Sequence, residues 1–166
     1  MPRGNGIIVS TDPKGVFRSC KIDGTPKPGT IMTIKPGTTV DDNGNFEMEA
    51  AGASAGLMAA DGDRIPIAVL LEDSKQGKTT ADAYADGAIA EVYYPAVGEE
   101  LNVLFGNQIG TADDAVAGTT YLVVDDGTGL VQPTAAQAED SLPFLALENI
   151  TDPTADQLVW VLVTGQ

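Results

Sequence analysis

The sequence predicts an all-β protein: a barrel or sandwich of short antiparallel strands with Gly/Pro-rich loops, one or two short helices and a mobile N-terminal arm. Three observations carry this. Short runs rich in Ile, Val, Phe, Tyr and Thr recur from end to end of the chain. Turn-forming residues separate them, with 19 Gly and 10 Pro among 166 positions. The one low-complexity stretch, small residues over 50–60, contains two glycines and is a poor helix, so it reads as a packed loop.

Taken in order, residues 1–6 are polar and Gly-rich, as an arm would be. Residues 7–9, 16–22 and 30–34 read as strands, punctuated by Asp12-Pro13-Lys14-Gly15, Asp23-Gly24, Pro28-Gly29 and Pro36-Gly37. After the turn at 41–45, Phe46-Glu47-Met48-Glu49 alternates apolar and acidic residues as a half-exposed strand does. Residues 65–71 form a continuous apolar run with Pro66 near its start, a buried strand. Residues 75–82 are a polar loop.

The clearest hairpin signal spans 88–105. Ala88, Ala90, Val92 and Tyr94 share one face, Pro95-Ala96-Val97-Gly98 makes the turn, and Leu101, Val103 and Phe105 return along the core. Residues 111–117 suit one or two helical turns, with Thr111 as N-cap and Asp113 and Asp114 at the positive end. Residues 121–124 and 130–132 flank Asp125-Asp126-Gly127-Thr128-Gly129 as a second hairpin. Residues 135–140 read as a short helix and 144–147 as a strand; 158–163, apolar on both faces, is expected in the middle of the core. The domain reading is an arm over 1–6 and a single β-rich domain over 7–166, any sub-division falling near 106–118.

Composition narrows the chemistry. The chain has 9 Lys plus Arg, 24 Asp plus Glu, no His and one Cys, for a formal charge of −15. Without imidazole there is no Ser-His-Asp or Cys-His nucleophile, and the usual zinc ligands are missing. A single cysteine rules out a disulfide framework within one chain. The acidity disfavours nucleic acid as a partner, and no apolar run reaches the roughly 18 residues that would indicate a membrane span. The charge is unevenly placed: +4 over 1–40, −5 over 41–78 and −14 over 79–166, where Lys and Arg do not occur. This sequence dipole suggests a basic leading segment that docks on an acidic partner.

No constellation satisfies a catalytic or cofactor pattern. Asp41-Asp42-Asn43-Gly44-Asn45 lacks the glycine and glutamate spacing of a calcium loop and reads as a plain turn. Glu99 and Glu100 are adjacent, so on a strand they point to opposite faces, while Glu91 and Glu100 read as a solvated face. Gly52-Ala53-Ser54-Ala55-Gly56 has no following lysine and is no phosphate loop. Cys20 reads as a small core residue. The expectation is a protein with no catalytic residues, no cofactor and no metal, and so no enzyme.

The stretch from Tyr84 to Phe105, with its Tyr84-Ala85-Asp86-Gly87 loop and its Pro95-Ala96-Val97-Gly98-Glu99-Glu100 turn, resembles a pattern in capsid decoration (cement) proteins of tailed bacteriophages. The motif positions are Tyr84, Gly87, Tyr94, Pro95, Gly98 and Glu100. The resemblance implies a structural virion protein, made in the host cytoplasm, that binds the exterior of an assembled shell of major capsid protein. It would bridge neighbouring capsomers, as a homo-oligomer and most readily a trimer. Candidate docking residues are then Arg3, Ile7, Ile8, Val9, Lys14, Arg18 and Lys21, with residues 7–9 suited to strand addition. The alternatives are another virion component, such as a head-fibre base or a tail or baseplate β-domain, or a calcium- or carbohydrate-binding β-module.

Overall fold

A computed structural model describes residues 6–9, 12–51, 67–73, 78–106, 114–125, 128–134, 144–151, 153 and 155–164. Among these residues ten strands form two five-stranded closed barrels. The first contains β1 (Val16–Ile22), β2 (Ile31–Ile34), β3 (Phe46–Ala50), β4 (Ala68–Leu70) and β5 (Ile89–Tyr94), in the order β1-β3-β2-β4-β5. The second contains β6 (Glu100–Phe105), β7 (Tyr121–Val124), β8 (Val131–Pro133), β9 (Phe144–Ala146) and β10 (Gln157–Val163), in the order β10-β6-β8-β7-β9. Pairing is mainly antiparallel, but β1 with β3 and β6 with β8 are parallel. The all-β class and the barrel architecture are as the sequence implies.

Side-chain alternation explains how each barrel fills. Cys20 and Ile22 of β1, Met32 of β2, Met48 of β3, Ala68 and Leu70 of β4, and Ala90 and Val92 of β5 face into the first barrel, together with Tyr84 from the preceding loop. Leu101, Val103 and Phe105 of β6 fill the second barrel with Val159, Val161 and Val163 of β10. Leu158, Trp160 and Leu162 are half-buried instead. Residues 158–163 are therefore not buried on both faces: one face of β10 lines the barrel and the other looks outward.

β4 is buried on both faces along its whole length. Ala68 and Leu70 point into the first barrel, whereas Ile67, Val69 and Leu71 join the second barrel's cluster with Ile31, Ala51 and Tyr93. The continuous apolar run at 65–71 reflects this double burial. Backbone bonds reinforce the layer. Ile31 N–H donates to Gly129 O (2.8 Å), Gly129 N–H to Ala51 O (3.0 Å) and Leu104 N–H to Gly29 O (2.9 Å).

Several local expectations change. β5 and β6 do not form a hairpin, because β5 pairs with β1 and β4 while β6 pairs with β10 and β8. Residues 95–99 carry the chain from one barrel to the other, upstream of 106–118. The alternation in each arm is correct, but pairing is decided by distant strands that alternation does not reveal. At 114–117 no helix forms: Ala115 pairs with Ile150 and residues 117–119 turn. The 135–140 helix expectation lies outside the described residues. The hairpin of β7 and β8 around 125–129 is present.

Gly129 brings the two barrels' main chains close together. Its φ is +68°, and a Cβ there would meet the Ile31 carbonyl oxygen and, at 2.5 Å, Thr30 Cγ2. Gly129→Ala is expected to destabilise the protein by about 3 kcal/mol through strain at the inter-barrel seam. Gly37→Ala, at φ +76° with nothing within 4 Å, is expected to cost about 1 kcal/mol. Chemical denaturation of the two variants checks the difference.

Candidate interaction surface

The crossing between barrels is organised by one carboxylate. Glu99 is 5% exposed and is the one buried charged side chain among the described residues. It accepts hydrogen bonds from the Lys14 N–H, from the Ala96 N–H (2.6 Å) and from the Tyr93 hydroxyl (2.7 Å). The Tyr93 hydroxyl in turn accepts from the Gly15 N–H (2.7 Å). The crossing is anchored from the other side too, by Gly98 N–H to Val163 O and Val163 N–H to Glu99 O, both 2.8 Å. Burial pushes the Glu99 pKa up, but donors from Lys14, Ala96, Tyr93 and Gly15 outweigh it and hold the carboxyl below its ordinary value. The Tyr93 hydroxyl is pushed up to about 12 by burial and by its bond to Glu99, so it stays a neutral donor. Sequence pattern assigns this glutamate no role; in the fold Glu99 joins the start of β1, the end of β5 and the crossing.

The mouth of the first barrel next to this joint is open. β1 pairs with β5 along Val16–Lys21, but with β3 only over Cys20–Ile22. The barrel therefore splays at Val16–Ser19, all four of which are exposed. Between the splayed strands lies a groove of about 390 Å³ with Cys20, Ile34 and Met48 along it and Val16, Phe46, Tyr94 and Arg18 beside them. Val16 is 52% and Phe46 43% exposed. On the outer face Phe17, 46% exposed, lies against Tyr93 with ring centroids 4.8 Å apart. Burial pushes the Cys20 thiol up to about 11, so it behaves as a buried apolar group.

The sequence-derived docking candidates divide between surface and interior. Arg3 lies outside the described residues. Ile7 is 3% exposed and sits in the second barrel's cluster. Ile8 bridges Leu101, Val9 N–H donates to Glu100 O (3.1 Å) and Asn102 N–H to Ile7 O (2.8 Å), so the strand addition expected of residues 7–9 is made within the chain, on β6. Lys14 is exposed and pairs with Asp12 at 3.0 Å, and Lys21 pairs with Glu47 at 3.7 Å. Arg18 is exposed on the groove rim and makes no ion pair among the described residues.

The motif residues serve the frame. Tyr84 plugs the first barrel, its hydroxyl donating to Leu71 O (3.0 Å). Gly87 N–H donates to Ile22 O (2.8 Å), Tyr94 flanks the groove, Pro95 and Gly98 belong to the crossing, and Glu100 accepts from Trp160 Nε1 (3.1 Å). The Asp41 loop is the expected turn: the Asp41 carboxylate accepts from Asn45 N–H (2.8 Å), Asn45 Nδ2 (3.1 Å) and Asn43 N–H (2.9 Å).

Charge follows the two barrels. All 9 Lys and Arg occur in residues 1–94, with 13 acids, while residues 95–166 have 11 acids and no cation. The described cations, Lys14, Arg18, Lys21, Lys27, Lys35 and Lys78, all lie on the first barrel and its loops.

The Glu99 joint predicts an acid response. Its folded pKa is depressed, so its stabilisation is complete above the unfolded value of about 4.3 and is lost as pH falls through the lower folded value. Glu99→Gln is expected to flatten that part of the stability–pH curve. Tyr93→Phe is expected to cost about 1–3 kcal/mol at neutral pH by leaving the Gly15 N–H and Glu99 short of a partner. Urea midpoints measured between neutral and acid pH test both.

No protein-family model and no curated protein matches this sequence. Among solved structures, the N base of head fiber gp8.5 from bacteriophage phi29 is similar in fold, with a TM-score of 0.53 and 13% identity over 90% of this chain and 94% of that one.

Proposed function

We propose that this protein is a non-enzymatic structural component of a phage virion, seated on the outside of the head with its first barrel inward and its second barrel outward. The observation that carries this reading is the contrast between the lobes: the described cations, Lys14, Arg18, Lys21, Lys27, Lys35 and Lys78, all belong to the first barrel and its loops, and residues 95–166 contain no Lys or Arg. An acidic shell surface would repel residues 95–166, at a net −11, more strongly than residues 1–94, at a net −4, whose cations can turn toward it. The fold likeness to a head fiber base supports the same class of role. It favours a base from which a further structure projects. The sequence motif at Tyr84–Phe105 favours the second reading, a decoration protein that bridges capsomers. On either reading the protein works as a homo-oligomer, a trimer matching a three-fold position on a shell. Weak single contacts, each about 0.2–1 kcal/mol for an exposed ion pair, then add through several copies.

The test is binding of purified protein to bare heads. Reversing Lys14, Lys21 and Lys27 to Glu is expected to lower occupancy by about tenfold or more at moderate salt, whereas Asp156→Lys in the second barrel has no such effect. Equal occupancy of the two variants would overturn the orientation. Copy number per head separates the readings: near that of the major shell protein for a decoration protein, and tens for a fibre base. Sedimentation of the free protein tests the trimer.

A further inference from the structure

We infer that the open edge of β1, together with the groove below it, receives an extended, carboxylate-bearing strand from another virion protein. This deepens the virion-surface reading and rests on it for the identity of the partner. The first observation is backbone polarity. Ile22 N–H donates to Ala88 O on the β5 side, and Asp23 N–H donates to Met48 O on the β3 side. Strand alternation then turns Phe17 N–H and C=O and Ser19 N–H toward the side of β3, where no described strand stands beside Val16–Ser19. These groups form a short pairing edge on an exposed strand, the arrangement that accepts an added strand.

The second observation is the groove itself. Its volume of about 390 Å³ lies in the range of ligand clefts, and Cys20, Ile34 and Met48 give it an apolar floor. An added strand has every second side chain on the inner face, so two aliphatic side chains at alternate positions enter the groove. The third is charge. Arg18 stands on the same inner face and makes no ion pair among the described residues, in a chain of net charge −15. A carboxylate on the same face of the incoming strand meets it, as a planar guanidinium suits.

These features also choose between occupants. Every strand of the second barrel is already paired on both edges within its closed sheet, and residues 7–9 are held on β6 and carry no acid. Among the described strands of a second copy the free edge is that of β1 itself, and pairing two such edges antiparallel about a two-fold axis would set Arg18 opposite Arg18, which like-charge repulsion disfavours. The occupant is a segment of a different polypeptide with alternating aliphatic residues and an Asp or Glu in phase with them.

The probe is acetyl-Val-Thr-Val-Thr-Glu-amide, titrated into the full chain and followed by backbone amide NMR, with the Lys-ended peptide for comparison. The expected result is saturable shifts at Phe17 and Ser19, with the Lys peptide weaker by about tenfold, the loss of one charge-assisted contact. Arg18→Glu is expected to reverse that preference. Ser19→Pro, which removes an outward N–H and no ladder bond, is expected to abolish binding with an unchanged melting temperature. Shifts elsewhere, equal binding of the two peptides or binding retained by Ser19→Pro would overturn the inference. So would concentration-dependent self-association that Ser19→Pro removes, since the occupant would then be a second copy. Occupancy of heads separates this from the broader reading. If wild type and Ser19→Pro bind heads equally, the edge fails and the virion role stands. If peptide binds but heads do not, the virion role fails and the edge stands.

Discussion

The structure depends on the apolar layer that the two barrels share. A barrel of five short strands has little interior, and each barrel here is barely wide enough to be filled by side chains from its own wall. Ile31, Val69, Leu71 and Tyr93 turn outward from the first barrel and become core of the second, which gives both barrels an area of buried surface neither has alone. The requirement propagates to the backbone. Gly29 and Gly129 stand where main chain meets main chain or a packed leucine, with Leu158 Cδ2 at 2.9 Å from a Cβ placed on Gly29. Loops bring these two glycines to the layer, so loop sequence is constrained here as tightly as strand sequence.

Glu99 belongs to the same constraint. A chain that leaves one barrel and enters another within residues 95–99 must satisfy its own amide groups at a buried corner. The carboxylate does this with the Ala96 and Lys14 amides and the Tyr93 hydroxyl, at the position where an aliphatic side chain would leave those donors unpaired. The same bonds fix the start of β1, and so set how the mouth of the first barrel is held beside its groove.

Much of this was legible in the sequence, and the gaps have physical reasons. β1 was bounded correctly at Val16–Ile22, and Met48, Ala90, Val92, Leu101 and Val103 were placed on buried faces, because a period of two reports directly on burial. Pairing was not legible: Tyr94 and Glu100 are five residues from each other's strands yet belong to separate sheets, since the partner of β5 is β1, about seventy residues upstream. Glu99 was not legible as a buried acid because adjacency to Glu100 says only that the two point to opposite faces, not which of them is covered. The one signal was its position immediately after a Pro-x-x-Gly turn, where amide groups converge. Arg18, a candidate for its charge, is exposed on the groove rim, while Ile7, a candidate as a free strand, is interior.

The use of residues 7–9 as a strap on β6 bears on how the chain acquires its fold during synthesis. The first barrel has all five of its strands once residue 94 has emerged, and it can close before the second exists. The strap cannot dock until β6 follows, so the leading segment remains unpaired through the making of the first barrel. For the same interval the outward face bearing Ile67, Val69 and Leu71 is bare. The period between the two closures is when the nascent chain is most exposed to wrong partners, and the short crossing at 95–99 keeps the sequence that ends it close to the face it must cover.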